Sequence, residues 1–220
     1  MVKKMLKLNA SDFGVCAGVI GGFFLLLELI INIVMAAVKP DSVPTMAALL
    51  LPCTAFMMCL CINVFQVPLQ FDLLLRFGVS RRRALAGVVG IMACETVFAF
   101  LVALVLAQVD RLIANLWLAA RPELELEVLA VPLWASALMA AGALALGLVC
   151  GAVIQHFGRK AMAILWVAFM AFVVLMNATG WDVLDELGSI PPAAIAAAAL
   201  AVAAALAWSV RTLLRACVKK

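Results

Sequence analysis

The chain has 220 residues, of which 68% are hydrophobic and only 13% charged. Its mean hydropathy is +1.23. A water-soluble domain of this size does not carry so much apolar residue, so the composition predicts lipid as the solvent and excludes a soluble enzyme or a nucleic-acid binder.

A spanning helix needs about 20 predominantly apolar residues. Reading between the charged residues gives six such stretches, at 13–38, 43–68, 84–109, 129–155, 161–179 and 190–210. Their apolar character is continuous and lacks the two-residue alternation of barrel strands, so helices are predicted. The expected fold is an all-α integral membrane protein of six transmembrane helices, forming one domain over residues 1–220.

Lys and Arg set the topology. With the N-terminus cytoplasmic, thirteen of the sixteen basic residues fall inside, leaving Lys39, Arg111 and Arg121 outside. Both termini are therefore expected in the cytoplasm. The net charge of +4 reads as a topological signal. All seven cysteines fall in spans or on the inner side, so no structural disulfide is expected.

Met1 to Leu8 alternate lysine with apolar residues, and two readings are open for residues 1–12: a segment lying flat in the inner membrane interface, or a positively charged start that only orients the chain. The apolar run that follows is longer than a cleaved signal segment, so it is expected to be an uncleaved anchor. Asn9 or Ser11 is placed to cap the first span. Gly14, Gly18, Gly21, Leu25, Glu28 and Asn32 share one face of it, which predicts close helix packing along that seam. Lys39, Pro40, Asp41 and Pro44 predict a tight outer turn. The second span carries Asn63, Gln66 and Gln70 on one face, and Pro52 and Pro68 are expected to bend or break it.

Between the second and third spans lies residues 69–83. Leu69, Leu73 and Phe77 share a face, and Asp72 sits four residues before Arg76. Gly78 suits a helix stop, and Ser80 suits the cap of the next helix. A short amphipathic helix, a sharp turn and a new helix are predicted, with Arg81, Arg82 and Arg83 at headgroup level.

The third span includes Glu95, and residues 110–129 are expected to form the longest outer segment, with Trp117 as an interface anchor. Trp134 falls near the outer end of the fourth span. Gly147 and Gly151 in that span are spaced for close packing. His156 reads as a solvated turn residue. A small outer-face helix is predicted between the last two spans, near Trp181, and an alanine-rich helix closes the chain.

The chain has no GxxxxGK[ST] loop and no HExxH, and one histidine cannot build a multi-histidine metal centre. No metal or cofactor is expected on this chain. Cys53, Met57, Met58, Cys59 and Cys61 read as apolar filling. Glu28 and Glu95 are expected near the midplane, where an acid costs about 2.5–3.5 kcal/mol to insert. Two readings are open for them: a polar path or proton site that includes Asn32, Asn63 and Gln66, or protonated carboxyls serving as hydrogen-bonded helix glue.

The stretch from Phe71 through Leu73, Leu75, Gly78, Val79, Ser80, Arg81 and Arg82 resembles the loop between the second and third spans of small type-2, efflux-type bacterial ABC transporter permeases. The resemblance implies a coupling helix that rests on a separate cytoplasmic ATPase subunit, with Phe71, Asp72, Leu74, Leu75, Arg76, Phe77, Gly78, Arg81 and Arg82 at the contact. It implies a second permease chain, two ATPase chains that carry ATP and Mg, a non-catalytic role for this chain in the bacterial plasma membrane, and export of a peptide or amphipathic compound. The alternatives are a secondary transporter or channel using Glu28 and Glu95, and a non-transporting membrane partner protein.

Overall fold

The computed structural model describes residues 10–38, 42–120, 125–128, 130–158 and 192–215, together with residues 160, 161, 163–165, 167, 170, 171 and 174. The elements are α1 (Ala10–Val38), β1 (Ser42–Thr45), α2 (Ala47–Arg76), α3 (Arg81–Ala120), β2 (Glu125–Val128), α4 (Leu133–Phe157) and α5 (Pro192–Arg215). The described residues within 160–174 are helical too. Helices α1 to α4 are each long and apolar enough to cross a membrane. The fifth predicted stretch, 161–179, lies largely outside the described residues, as do the small outer-face helix and residues 1–9 of the interfacial segment.

Two expectations about the elements are corrected. First, α2 is continuous from Ala47 to Arg76, so neither Pro52 nor Pro68 ends it and the expected coupling helix is the end of α2 itself. A proline lacks the N–H that would pair with the carbonyl four residues earlier. For Pro52 that carbonyl belongs to Ala48, and the Val131 N–H donates to it at 3.2 Å. The freed acceptor thus holds the chain entering α4. Second, α3 runs for 40 residues to Ala120, about 60 Å at ~1.5 Å per residue, so Asp110 is helical and not in an outer loop. The all-helical class holds, with one short two-stranded ladder beside the helices. The expected turn at Pro44 is strand β1, paired in parallel with β2 from Ser42–Glu125 to Thr45–Val128. A two-stranded ladder is all edge, which is where a proline is tolerated.

The described residues group into two compact units. One holds residues up to Asn63 with Val89–Leu144; the other holds Val64–Val88 and Ala145 onward. In the first unit, Ile20 and Phe24 of α1, Leu51, Ala55 and Cys59 of α2, Ala99, Phe100 and Ala103 of α3, and Ala143 of α4 form the core. Alanine dominates because, in lipid, packing and not water exclusion holds helices together, and small side chains bring backbones close. Helices α1 and α3 run the same way: Phe13 meets Phe98 edge-to-face at 5.2 Å, and Met35 packs with Ala114. Helix α2 runs against α3, with Asn63 donating to Thr96 Oγ1 at 3.2 Å.

In the second unit the packing is tighter still. A Cβ on Gly151 would lie 2.5 Å from Val67 Cβ, so this glycine is the condition for α2 and α4 to meet. Asp72 accepts from Gln155 Nε2 at 2.6 Å one turn further on.

The glycine seam of α1 behaves differently from its expectation. Nothing lies within 4 Å of a Cβ built at Gly14, Gly18, Gly21 or Gly22. The face of α1 that packs is Cys16, Ile20, Phe24, Leu27 and Met35.

Candidate functional site

Two regions carry the polar residues singled out from the sequence. The first is the junction of α2 and α3. Helix α2 ends with Phe77 N–H donating to Leu73 O at 3.1 Å, Gly78 N–H to Leu75 O at 3.0 Å and Val79 N–H to Leu74 O at 3.1 Å. Gly78 adopts φ 76°, the left-handed conformation that lets these carbonyls be satisfied. The Ser80 carbonyl accepts from Ala84 N–H at 2.9 Å, which places Ser80 at the start of α3. The predicted stop, turn and restart are therefore present.

The side chains divide otherwise than the sequence suggests. Phe71 and Leu74 are buried within the chain, Leu75 is half-buried, and Asp72 turns toward Gln155 and not toward Arg76. Leu69, Leu73 and Phe77 form the open apolar face, with Phe77 75% exposed. Arg76, Gly78, Arg81, Arg82 and Arg83 are exposed around it. Arg81 Nη1 donates to Leu214 O in the last turn of α5 at 3.2 Å, so the turn is tied to the C-terminal end of that helix. A shallow depression beside it is lined by Ser80, Arg81, Arg82 and Leu214.

The second region is inside the first unit and has two levels. At one level Glu95 is 2% exposed, next to Thr96. Asn63 donates to Thr96 Oγ1 and, at 3.4 Å, to the Ala143 carbonyl, joining α2, α3 and α4. Gln66 belongs to the second unit and is buried there.

At the other level Glu28 meets Asp110. The two carboxyls face each other, one from α1 and one from α3, and each keeps one buried oxygen, Glu28 Oε1 and Asp110 Oδ2, that no donor among the described residues reaches. Glu28 and Asp110 are 8% and 3% exposed, respectively. Asn32 Nδ2 donates to the Glu28 carbonyl at 2.7 Å and reaches Glu28 Oε2 at 3.4 Å. Trp117 Nε1 donates to Asn32 Oδ1 at 3.0 Å, which fixes the amide with its N–H groups toward Glu28. Asp110 also accepts from the Ala47 N–H at the start of α2.

Asp110 follows Glu95 by fifteen residues on one continuous helix, about 22 Å along its axis at ~1.5 Å per residue. The expectation that Glu28 and Glu95 share a level is therefore corrected: Glu28 lies with Asp110, and Glu95 lies with Thr96 and Asn63. The Glu28–Asn32 contact agrees with the reading of hydrogen-bonded glue, while the acid partner was not foreseen. Trp117, expected as an interface anchor, is a hydrogen-bond donor to this cluster. Ala99, Ala103, Ala107, Asp110, Ala114 and Trp117 recur at spacings of three and four. That period placed Asp110 and Trp117 on the packed face, and it was readable in advance.

His156 is exposed near the end of α4, edge-on to Phe157 and to Trp208 of α5. Among the described residues, no group of three or more His, Cys, Asp or Glu side chains is placed to hold a metal.

Large apolar side chains stand outward along these helices, Leu25 being 69% exposed and Leu116 71%, while carboxyls are buried. Such an inside-out distribution, on four helices long enough to span, defines a multi-pass helical membrane protein. Comparison with known protein families, with curated proteins and with solved structures returns no significant match.

Proposed function

We propose that this chain is the membrane-spanning permease subunit of an ATP-driven exporter in a bacterial plasma membrane, with six spans and both termini cytoplasmic. A separate cytoplasmic ATPase would supply ATP hydrolysis, and two permease chains would form the pathway. The observation that carries the proposal is the end of α2: an exposed apolar face at Leu69, Leu73 and Phe77, with exposed arginines at positions 76 and 81–83, on a helix that continues without a break into the packed part of the chain. A push on Phe77 is transmitted along a rigid rod, since α2 is hydrogen-bonded to α4 through Asp72 and locked on it at Gly151. The arginine bond from the turn to Leu214 couples α5 to the same movement.

Phe71 and Leu74 support the rod from within, and Leu73 and Phe77 meet the partner.

The test is whether an ABC-type ATPase gene lies beside the gene for this chain and, with that ATPase, co-purification of the two followed by ATP hydrolysis in lipid nanodiscs. Phe77→Asp places a charge in the proposed contact and should cost about 2 kcal/mol, roughly thirtyfold in affinity. Leu73→Asp should act in the same direction. An undisturbed complex in both variants overturns the proposal.

A further inference from the structure

We propose that Glu28 and Asp110 form a binding site for a single proton, held between the two carboxyls where α1, α3 and the start of α2 meet. The inference does not rest on the transport reading above.

Two carboxylates are acceptors only, and when both are ionised they repel each other at hydrogen-bond distance. Two buried carboxyls that face each other, each with an oxygen no donor among the described residues reaches, are relieved by one proton, because one group can then donate to the other. The surroundings leave the place for it open. Asn32 directs its N–H toward Glu28 Oε2, and the Ala47 N–H serves Asp110. No donor among the described residues reaches Glu28 Oε1 or Asp110 Oδ2, and both atoms are buried away from solvent. One shared proton makes a donor of one carboxyl and satisfies the other.

The groups facing the pair hold it at a single negative charge. From α1 comes the neutral Asn32 amide, fixed by Trp117. From α2 comes no side-chain charge but a backbone N–H at the positive end of a 30-residue helix. From α3 comes Arg111, the one cation acting on Asp110 among the described residues. One negative charge matches this field, and two would exceed it.

The proton thereby joins α1 to α3. With the proton bound the pair is closed. As pH rises and the proton leaves, two adjacent buried negative charges push the helices apart. Stability is thus present on the acidic side of the transition and lost on the alkaline side.

The experiment uses the full chain in nanodiscs, with infrared difference spectra and unfolding midpoints measured across pH. Glu28→Gln replaces the proton with a permanent N–H donor, and Asp110→Asn does so from the other side. The wild type is expected to show a protonated-carboxyl C=O band that disappears as pH rises, together with a falling unfolding midpoint. Each variant is expected to lose that band and to have a midpoint that no longer falls with pH. If one variant fails to fold, the other carries the test alone. A wild-type band untouched by Asp110→Asn would mean that Glu28 is protonated alone and would overturn the shared site. A wild-type transition that moves when sodium replaces choline would assign the site to a metal cation, and this too would overturn it. A pH slope equal in wild type and variants would do the same.

Discussion

Helices α1 and α4 carry the same sequence signal and put it to different use. Both have glycines at the spacing that invites close packing. On α4, Gly151 receives Val67 so tightly that no Cβ fits. On α1, Gly14, Gly18, Gly21 and Gly22 face open space. A glycine spacing therefore reports that a helix can be approached, while the position of the neighbouring helix decides whether it is.

The comparison can be broken most forcefully at Gly151. Gly151→Leu should prevent α2 and α4 from meeting, and no folded population is expected in mixed-micelle unfolding. Gly151→Ala should cost about 1–3 kcal/mol, since the new methyl group collides with Val67. Val67→Ala in that background should recover only part of the loss. It removes the Cγ contacts at 2.8 and 3.1 Å but leaves the Cβ contact at 2.5 Å. Full recovery would show that the helices adjust and that the glycine is not the controlling contact.

A smaller effect is expected where a glycine is needed for its backbone and not for space. Gly78 has open space around a Cβ but sits at φ +76°. Gly78→Ala should cost about 1–2 kcal/mol by forcing an alanine into the left-handed region. Loosening of the α2–α3 turn would be seen as faster amide exchange at Phe77 to Val79. The smallest effect belongs to α1. Gly18→Ala should leave the unfolding midpoint of the isolated chain within about 0.5 kcal/mol of wild type, because the site is an uncrowded surface. A large loss there would show that another element covers the seam.

Much of the local structure was legible in the residues. Apolar runs gave the four long helices, because a backbone in lipid must satisfy its own hydrogen bonds. Gly78 and Ser80 marked the end of α2 and the start of α3, because positive φ and N-capping are properties of single residues and their immediate neighbours. Pro52 leaves α2 unbroken for a reason the local sequence does not carry: a proline's missing hydrogen bond is a local fact, but its repair at Ala48 comes from Val131, which is far away in sequence.

The candidate sites were less legible. Phe71 and Phe77 differ little as letters, yet one is buried and the other protrudes, and only the packing around α2 decides which. Glu28 was recognised as an intramembrane acid from sequence. Its partner was not, because pairing with Asp110 depends on how α1 and α3 align along their lengths, and no short-range pattern encodes that alignment.

By itself, then, the sequence determined that this chain lives in lipid, where its long helices fall and where the chain turns at Gly78. These follow from transfer free energy and backbone sterics, which act residue by residue. The tertiary structure alone decided that Glu28 belongs with Asp110 and not with Glu95, that Gly151 is a contact while Gly18 is a surface, and that Phe77 is left exposed while Phe71 is buried. Each of these depends on which helix lies beside which, and at what height.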